Sequence, residues 1–329
     1  MTKTNQQKVK DFLINNGVII VMFILVIYTG FTPDNFFTRN NFMNILMNMS
    51  SRLVIALGIA GCVITAGCDL SAGRMIGFGA CISGMLLQRM DYSGKFFPDM
   101  QPLNVFVVAL IAMLVCAAFG TVTGFFIAYL NVPPFIATLA MMEIVYGIGL
   151  IVTNATPLGG YVEQYTKVSN GKFLGINYLI WIAIIVAAIT WFIFNMTRHG
   201  KYMYAIGGNP QAAEVAGVPV KLTLILIYMK AAAMYGLAGF MLGAKAGGAS
   251  VNLGYGYEME AIAACTIGGV SVTGGRGKVS SAIIGVAVFE LLKAALQYLG
   301  VDANAQYIAI GIVIFVAISL DIRKYVAKK

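Results

Sequence analysis

Four ionisable side chains, Glu143, Lys230, Glu290 and Lys293, are embedded in long apolar runs. A charge at membrane depth is costly, so it is paired or it serves a transport path. Glu290 and Lys293 stand three apart, on one face of a helix, and that spacing predicts mutual neutralisation. Glu143 and Lys230, one acid and one base on different segments, form a candidate interhelical pair or a proton or ion site. Covalent chemistry finds less support. His199 is the only histidine, set beside Arg198 in a basic loop. It reads as a solvated flank and cannot by itself build a histidine metal site. The chain has no H-E-x-x-H, paired-cysteine or G-x-S-x-G motif, so no catalytic residue and no metal site is expected. "GGVSVTGGRGKVSS" at 268–281 imitates a phosphate loop. Such a loop needs glycine at 272 and Ser or Thr at 279, where this chain has Val272 and Val279.

The elements that must position these groups are membrane helices. Of 329 residues, 59% are hydrophobic and 11% charged, and the mean hydropathy is +0.83, which excludes an ordinary soluble domain. The expected fold class is all-α, a polytopic membrane protein forming a single transmembrane domain over 1–329. Cys62, Cys68, Cys81, Cys116 and Cys265 lie in or beside apolar runs and read as small packing residues. The net charge of +9 comes from basic residues that flank apolar segments. The positive-inside bias accounts for them, and without a basic stripe interleaved with aromatics no nucleic-acid partner is expected. Lys3, Lys8 and Lys10 precede an apolar stretch at 17–31 with no small-x-small cleavage site, which reads as a retained first helix.

Segments of about 20 apolar residues predict about ten spans, centred on 12–31, 46–67, 75–90, 104–130, 134–153, 177–196, 221–244, 258–272, 279–299 and 305–321. With the N-terminus cytoplasmic, thirteen of the 22 Lys and Arg fall on the inner side, six on the outer side and three within spans. That bias predicts both termini inside and an even number of spans. The longest outer loop, about 154–175, is too short for a ligand-binding domain. Fourfold-spaced glycines (Gly73 with Gly77, Gly120 with Gly124, Gly239 with Gly243 and Gly247) predict close helix packing. "GIAGCVITAGCDLSAGR" at 58–74 and "AIAACTIGGVSVTGGRG" at 261–277 both run from a small-rich helix into a glycine turn with an arginine. They hint at an internal repeat.

"GGNPQAAEVAGV" at 207–218 interrupts the apolar pattern inside the loop 197–220, which the orientation places in the cytoplasm. Asn209 suits a cap, Pro210 the first helical position and Gly217 a left-handed stop. The helix would run about two turns, with Ala212, Val215 and Ala216 on one face. It lacks the bulky and basic residues of a membrane-surface helix. A short rigid knob with a small-residue face suits insertion into a partner's groove.

Extended to "AIGGNPQAAEVAGV" at 205–218, this segment resembles the cytoplasmic coupling segment of permease subunits in bacterial ABC importers for monosaccharides, the ribose, xylose and galactose group. "ALGIAGCVITAGCDLSAGR" at 56–74, "AYLNVPPFIATLAMM" at 128–142 and "YEMEAIAACTIGGVSVTGG" at 257–275 are similar to the same family, so the resemblance covers nearly the whole chain. "LLQRMDYSGKFFPDM" at 86–100 and the ending "LDIRKYVAKK" resemble its galactose/methyl-galactoside branch. The resemblance implies a multi-pass protein of the bacterial inner membrane that translocates a monosaccharide, most of all galactose, delivered by an extracytoplasmic sugar-binding protein. It also implies a homodimer in the lipid bilayer and a separate ABC ATPase subunit. ATP would be bound by that partner only, and this chain would carry no cofactor of its own. Gly208, Asn209, Pro210, Ala212, Ala213 and Gly217 match the coupling positions. Asp69, Ser71 and Gly73 in "GCDLSAGR" match a family pattern that braces a broken helix or contributes to the path. Glu143, Lys230, Glu290 and Lys293 depart from the family pattern. The rival class is an ion-coupled secondary transporter using Glu143 or Lys230.

Overall fold

Small polar residues just ahead of the apolar runs set the helix starts. The computed structural model describes residues 36–326, together with 20, 24 and 26–31, and the predicted span at 12–31 lies largely outside these. Thr38, whose hydroxyl accepts from the Asn41 amide, caps α1 (Arg39–Ile64). Then come α2 (Ala72–Leu86) and α3 (Val105–Tyr129), the latter capped by Asn104. Pro134 opens α4 (Pro134–Thr153), a position where its missing N–H costs nothing. The outer loop holds α5 (Glu163–Asn170) and a hairpin of β1 (Lys172–Phe173) and β2 (Ile176–Asn177), paired antiparallel with Lys172 opposite Asn177. Asn177 caps α6 (Tyr178–Met196), and Thr197 caps α7 (Arg198–Gly208). There follow α8 (Pro210–Val215), α9 (Val220–Ala246), α10 (Tyr257–Ile267), α11 (Val279–Tyr298) and α12 (Ala303–Val326).

Among the described residues, α1, α3, α4, α6, α9 and α11 are long and apolar enough to cross a membrane. Two occupy the centre. In its most apolar stretch α1 is 78% buried and α9 61%, against 22% for α3, so the apolar surface of α3 is left for lipid. The predicted glycine packing holds along α9, which lies against α3 and α2. A Cβ on Gly120 would run into the Tyr228 carbonyl oxygen, one on Gly124 into the Ile225 Cα, and one on Gly239 into the Ile76 carbonyl oxygen. Gly247 corrects that reading, because it ends α9 with φ +66° and nothing near its missing side chain. Close backbone approach is what a lipid environment rewards in place of hydrophobic burial. The five cysteines are free, four of them buried and Cys68 half-buried.

The predicted span at 258–272 needs correction. Its helix, α10, has only 11 residues, about 16 Å at 1.5 Å per residue, which is half a bilayer. It stops at Gly268, and Gly269 follows with φ +101°. The glycine pair ends the helix where hydropathy alone would carry it on.

Candidate coupling segment and mid-membrane polar layer

The segment at 207–218 folds as its caps require. Asn209 Oδ1 accepts from the Ala212 amide at 2.9 Å, Pro210 opens α8, and Gly217 ends it with φ +83°. The Gly217 and Val218 amides donate back to the carbonyls of Glu214 (2.9 Å) and Ala213 (3.0 Å). With six residues, α8 is shorter than the predicted two turns. Ala212, Val215 and Ala216 are exposed, Val215 to 91%, whereas Ala213 is buried. Ala213 therefore anchors the knob from within, and the outward face is small and apolar.

What the knob rests on was not legible in the sequence. A Cβ on Gly207, just ahead of it, would strike the Ile64 carbonyl oxygen at the end of α1 and crowd the Gly275 amide. The Gly275 amide donates to that same Ile64 carbonyl at 2.8 Å, and the Tyr204 hydroxyl donates to the Gly277 carbonyl at 2.8 Å. The end of α7, which carries the knob, is thus seated on the end of α1 and on the turn between α10 and α11. These are the turns of the two similar segments noticed at 58–74 and 261–277. His199, expected to be solvated, is half-buried in α7. Burial, aided by the Lys230 ammonium, pulls its imidazole down to about 4.

The turn containing Asp69 re-enters the helix bundle. Gly67 lies against Pro134 at the start of α4, whereas Arg74 stacks 3.8 Å from the ring of Tyr146, twelve residues further along that helix. Asp69 Oδ1 accepts from both the amide and the hydroxyl of Ser71, at 3.0 and 2.5 Å. Both residues are buried. A Cβ on Gly73 would meet the Glu258 carboxylate and the Gly254 carbonyl, so the starts of α2 and α10 meet in the middle of the molecule. Arg74, counted on the inner side from sequence, belongs at this depth instead.

Four charges tie α1, α10 and α11 together nearby. Arg52 Nη1 bonds Glu260 Oε2, Arg52 Nε lies 2.7 Å from Glu290 Oε1, and Lys293 Nζ lies 2.6 Å from Glu260 Oε1. The guanidinium also sits 4.6 Å over the Tyr257 ring. The expected Glu290–Lys293 pair is corrected: each reaches across to another helix. These groups border a cavity of about 770 Å³ between the starts of α1 and α12 and the end of α11. The hypothesised Glu143–Lys230 pair does not form. Glu143 is exposed on α4, and Lys230 Nζ is buried 4.6 Å over the Phe194 ring with no hydrogen-bond partner.

Comparison with known proteins adds the lineage. The family model described as branched-chain amino acid transport system, permease component, matches residues 41–318. The chain is 40% identical to the galactose/methyl galactoside import permease protein MglC of Escherichia coli K12 and 41% identical to that of Haemophilus influenzae, over the full length of both partners in each case. It is 32% identical to the ribose import permease protein RbsC of Escherichia coli K12, over 96% of each chain. No solved structure matches it.

Proposed function

From a chain that belongs to the family of branched-chain amino acid transport system permease components, and that resembles galactose/methyl galactoside permeases from end to end, we infer the membrane subunit of an ATP-driven monosaccharide importer. Its substrate is galactose or a methyl galactoside. The single observation that carries the mechanism is the capped, outward-facing α8, preceded directly by Gly207 of α7, which is packed on the carbonyl end of α1. ATP is bound and hydrolysed on a separate ATPase subunit that receives this knob in a groove, so the chain itself is not catalytic and holds no cofactor. A binding protein delivers the sugar from the extracytoplasmic side. Two copies of the chain pair in the bacterial inner membrane, each a single domain of about ten spans with both termini and the 197–220 loop in the cytoplasm.

The coupling follows from stiffness. A force on Gly208, Asn209, Pro210, Ala212 and Gly217 passes through Ala213 into α7. Gly207 leaves no slack against Ile64 and Gly275, so α1 and the α10–α11 turn move with the knob. Asp69, Ser71 and Gly73 brace the re-entrant turn that faces α10.

The test is co-purification of the ATPase with the detergent-solubilised chain, repeated with Pro210→Asp and Ala212→Asp. The unaltered chain retains the ATPase and both variants lose it. Retention by the variants overturns the knob as the contact. The ion-coupled alternative uses Glu143 or Lys230, each acting by itself since the two do not meet. Uptake that survives a flexible linker in place of 209–217 and collapses with a proton uncoupler at constant ATP would favour it.

A further inference from the structure

Glu143 is the tenth residue of the twenty-residue α4, so it lies at the middle of a helix about 30 Å long, the thickness of the hydrocarbon core. It is exposed, between the exposed apolar residues Leu139 and Ile144. Acyl chains cannot solvate a carboxylate there, and among the described residues no ion pair holds it. Tyr146, three residues further along α4, leads to a second polar group unsuited to lipid. Arg74 is stacked 3.8 Å from Tyr146 and 4.5 Å from Tyr255, and donates to Asn252 Oδ1 at 2.7 Å, yet its buried Nε has no partner. Tyr255 is 63% exposed and Asn252 is exposed as well. The short α10 begins here, and broken helices meeting at mid-depth are where transporters place substrate.

A carboxylate, a guanidinium, an amide and two phenol rings supply the hydrogen bonds and flat faces that an uncharged, hydroxyl-rich ring needs. The patch is also self-complementary in charge, so a two-fold axis can bring its acidic and basic ends together across a seam. The geometry points to Glu143, Arg74, Asn252, Tyr146 and Tyr255 as one wall of the sugar path, completed by a second copy of the chain. This rests on the importer reading above.

The test uses the assembled importer, with its ATPase and binding protein, in vesicles. Cys68→Ser removes the half-buried thiol, and Glu143→Cys is compared with Ile184→Cys on the lipid-facing side of α6. Lipid suppresses the thiolate that a charged thiol reagent attacks. Added from outside, a membrane-impermeant reagent therefore modifies Glu143→Cys about tenfold faster than Ile184→Cys. Galactose slows that reaction, and a short dithiol-reactive linker joins two copies through the same position. Equal rates at the two sites, no protection by galactose, or modification without any joined product each overturn the proposal. Asn252→Cys, in an exposed loop, provides a second position should Glu143→Cys not assemble. Galactose uptake by the unaltered chain is read in the same vesicles, and its absence sinks the importer reading rather than this one.

Discussion

Arg52 serves two carboxylates at once, and its bond to Glu260 spans 208 positions of sequence. Glu290 is 4% exposed, so its charge depends on that guanidinium. Removing one partner of a buried ion pair leaves an uncompensated charge and costs about 3–5 kcal/mol, whereas replacing both with apolar side chains is often neutral. Arg52→Met should therefore lower the unfolding temperature in detergent sharply. Arg52→Met combined with Glu290→Met should recover most of the loss, because Lys293 still neutralises Glu260. An equal loss in the double variant would mean that the cluster does more than balance charge. The i,i+3 spacing of Glu290 and Lys293 was readable, but their partners were not. Spacing records who shares a helix face, and only the packing of α1 against α10 and α11 brings Arg52 within reach of both acids.

At the scale of elements, α8 is specified locally and α10 is not. Asn209, Pro210 and Gly217 supply a cap, a start and a stop within nine residues, so the knob forms from its own sequence. Asn209→Ala removes the cap bond to Ala212 and should weaken the turn by about 1 kcal/mol. The seat matters more. Gly207→Ala would set a Cβ against the Ile64 carbonyl, so the variant should keep its ATPase in a pull-down while sugar uptake falls steeply. Uptake unchanged by Gly207→Ala would mean that force does not travel through this contact. For α10, hydropathy continues past residue 267 while the helix stops at Gly268 and the left-handed Gly269, and Gly268 packs so closely on Ser281 that a Cβ there would meet its carbonyl.

Across the whole molecule, the two ends of the bundle differ in character. One end gathers α8, the end of α1 and the α10–α11 turn, and the other holds α5, the hairpin and the charged cavity. Moving Arg74 to mid-depth leaves twelve basic residues on the inner side against six outside, a bias that still predicts a cytoplasmic knob. In right-side-out vesicles on the Cys68→Ser background, Lys172→Cys in the hairpin should react with an impermeant reagent at once. Lys201→Cys in α7 should react only after the membrane is opened. The reverse pattern would invert the topology and exclude import driven from the knob side.

Helix start points were set by the sequence itself, because N-terminal caps are local quantities that each segment carries. The same holds for the knob, whose nine residues contain every group its backbone needs. Where the chain re-enters after Gly67, why α10 stops halfway and which charges neutralise one another were decided by tertiary structure. Each depends on two distant backbones approaching until glycine alone fits, or on a guanidinium finding its acids across helices. Arg74 shows the difference most plainly. Its flanking sequence reads as a glycine turn on the inner side, yet stacking between Tyr146 and Tyr255 holds it in the middle of the membrane domain, because aromatic rings from α4 and the 250–256 turn converge there only in the folded protein.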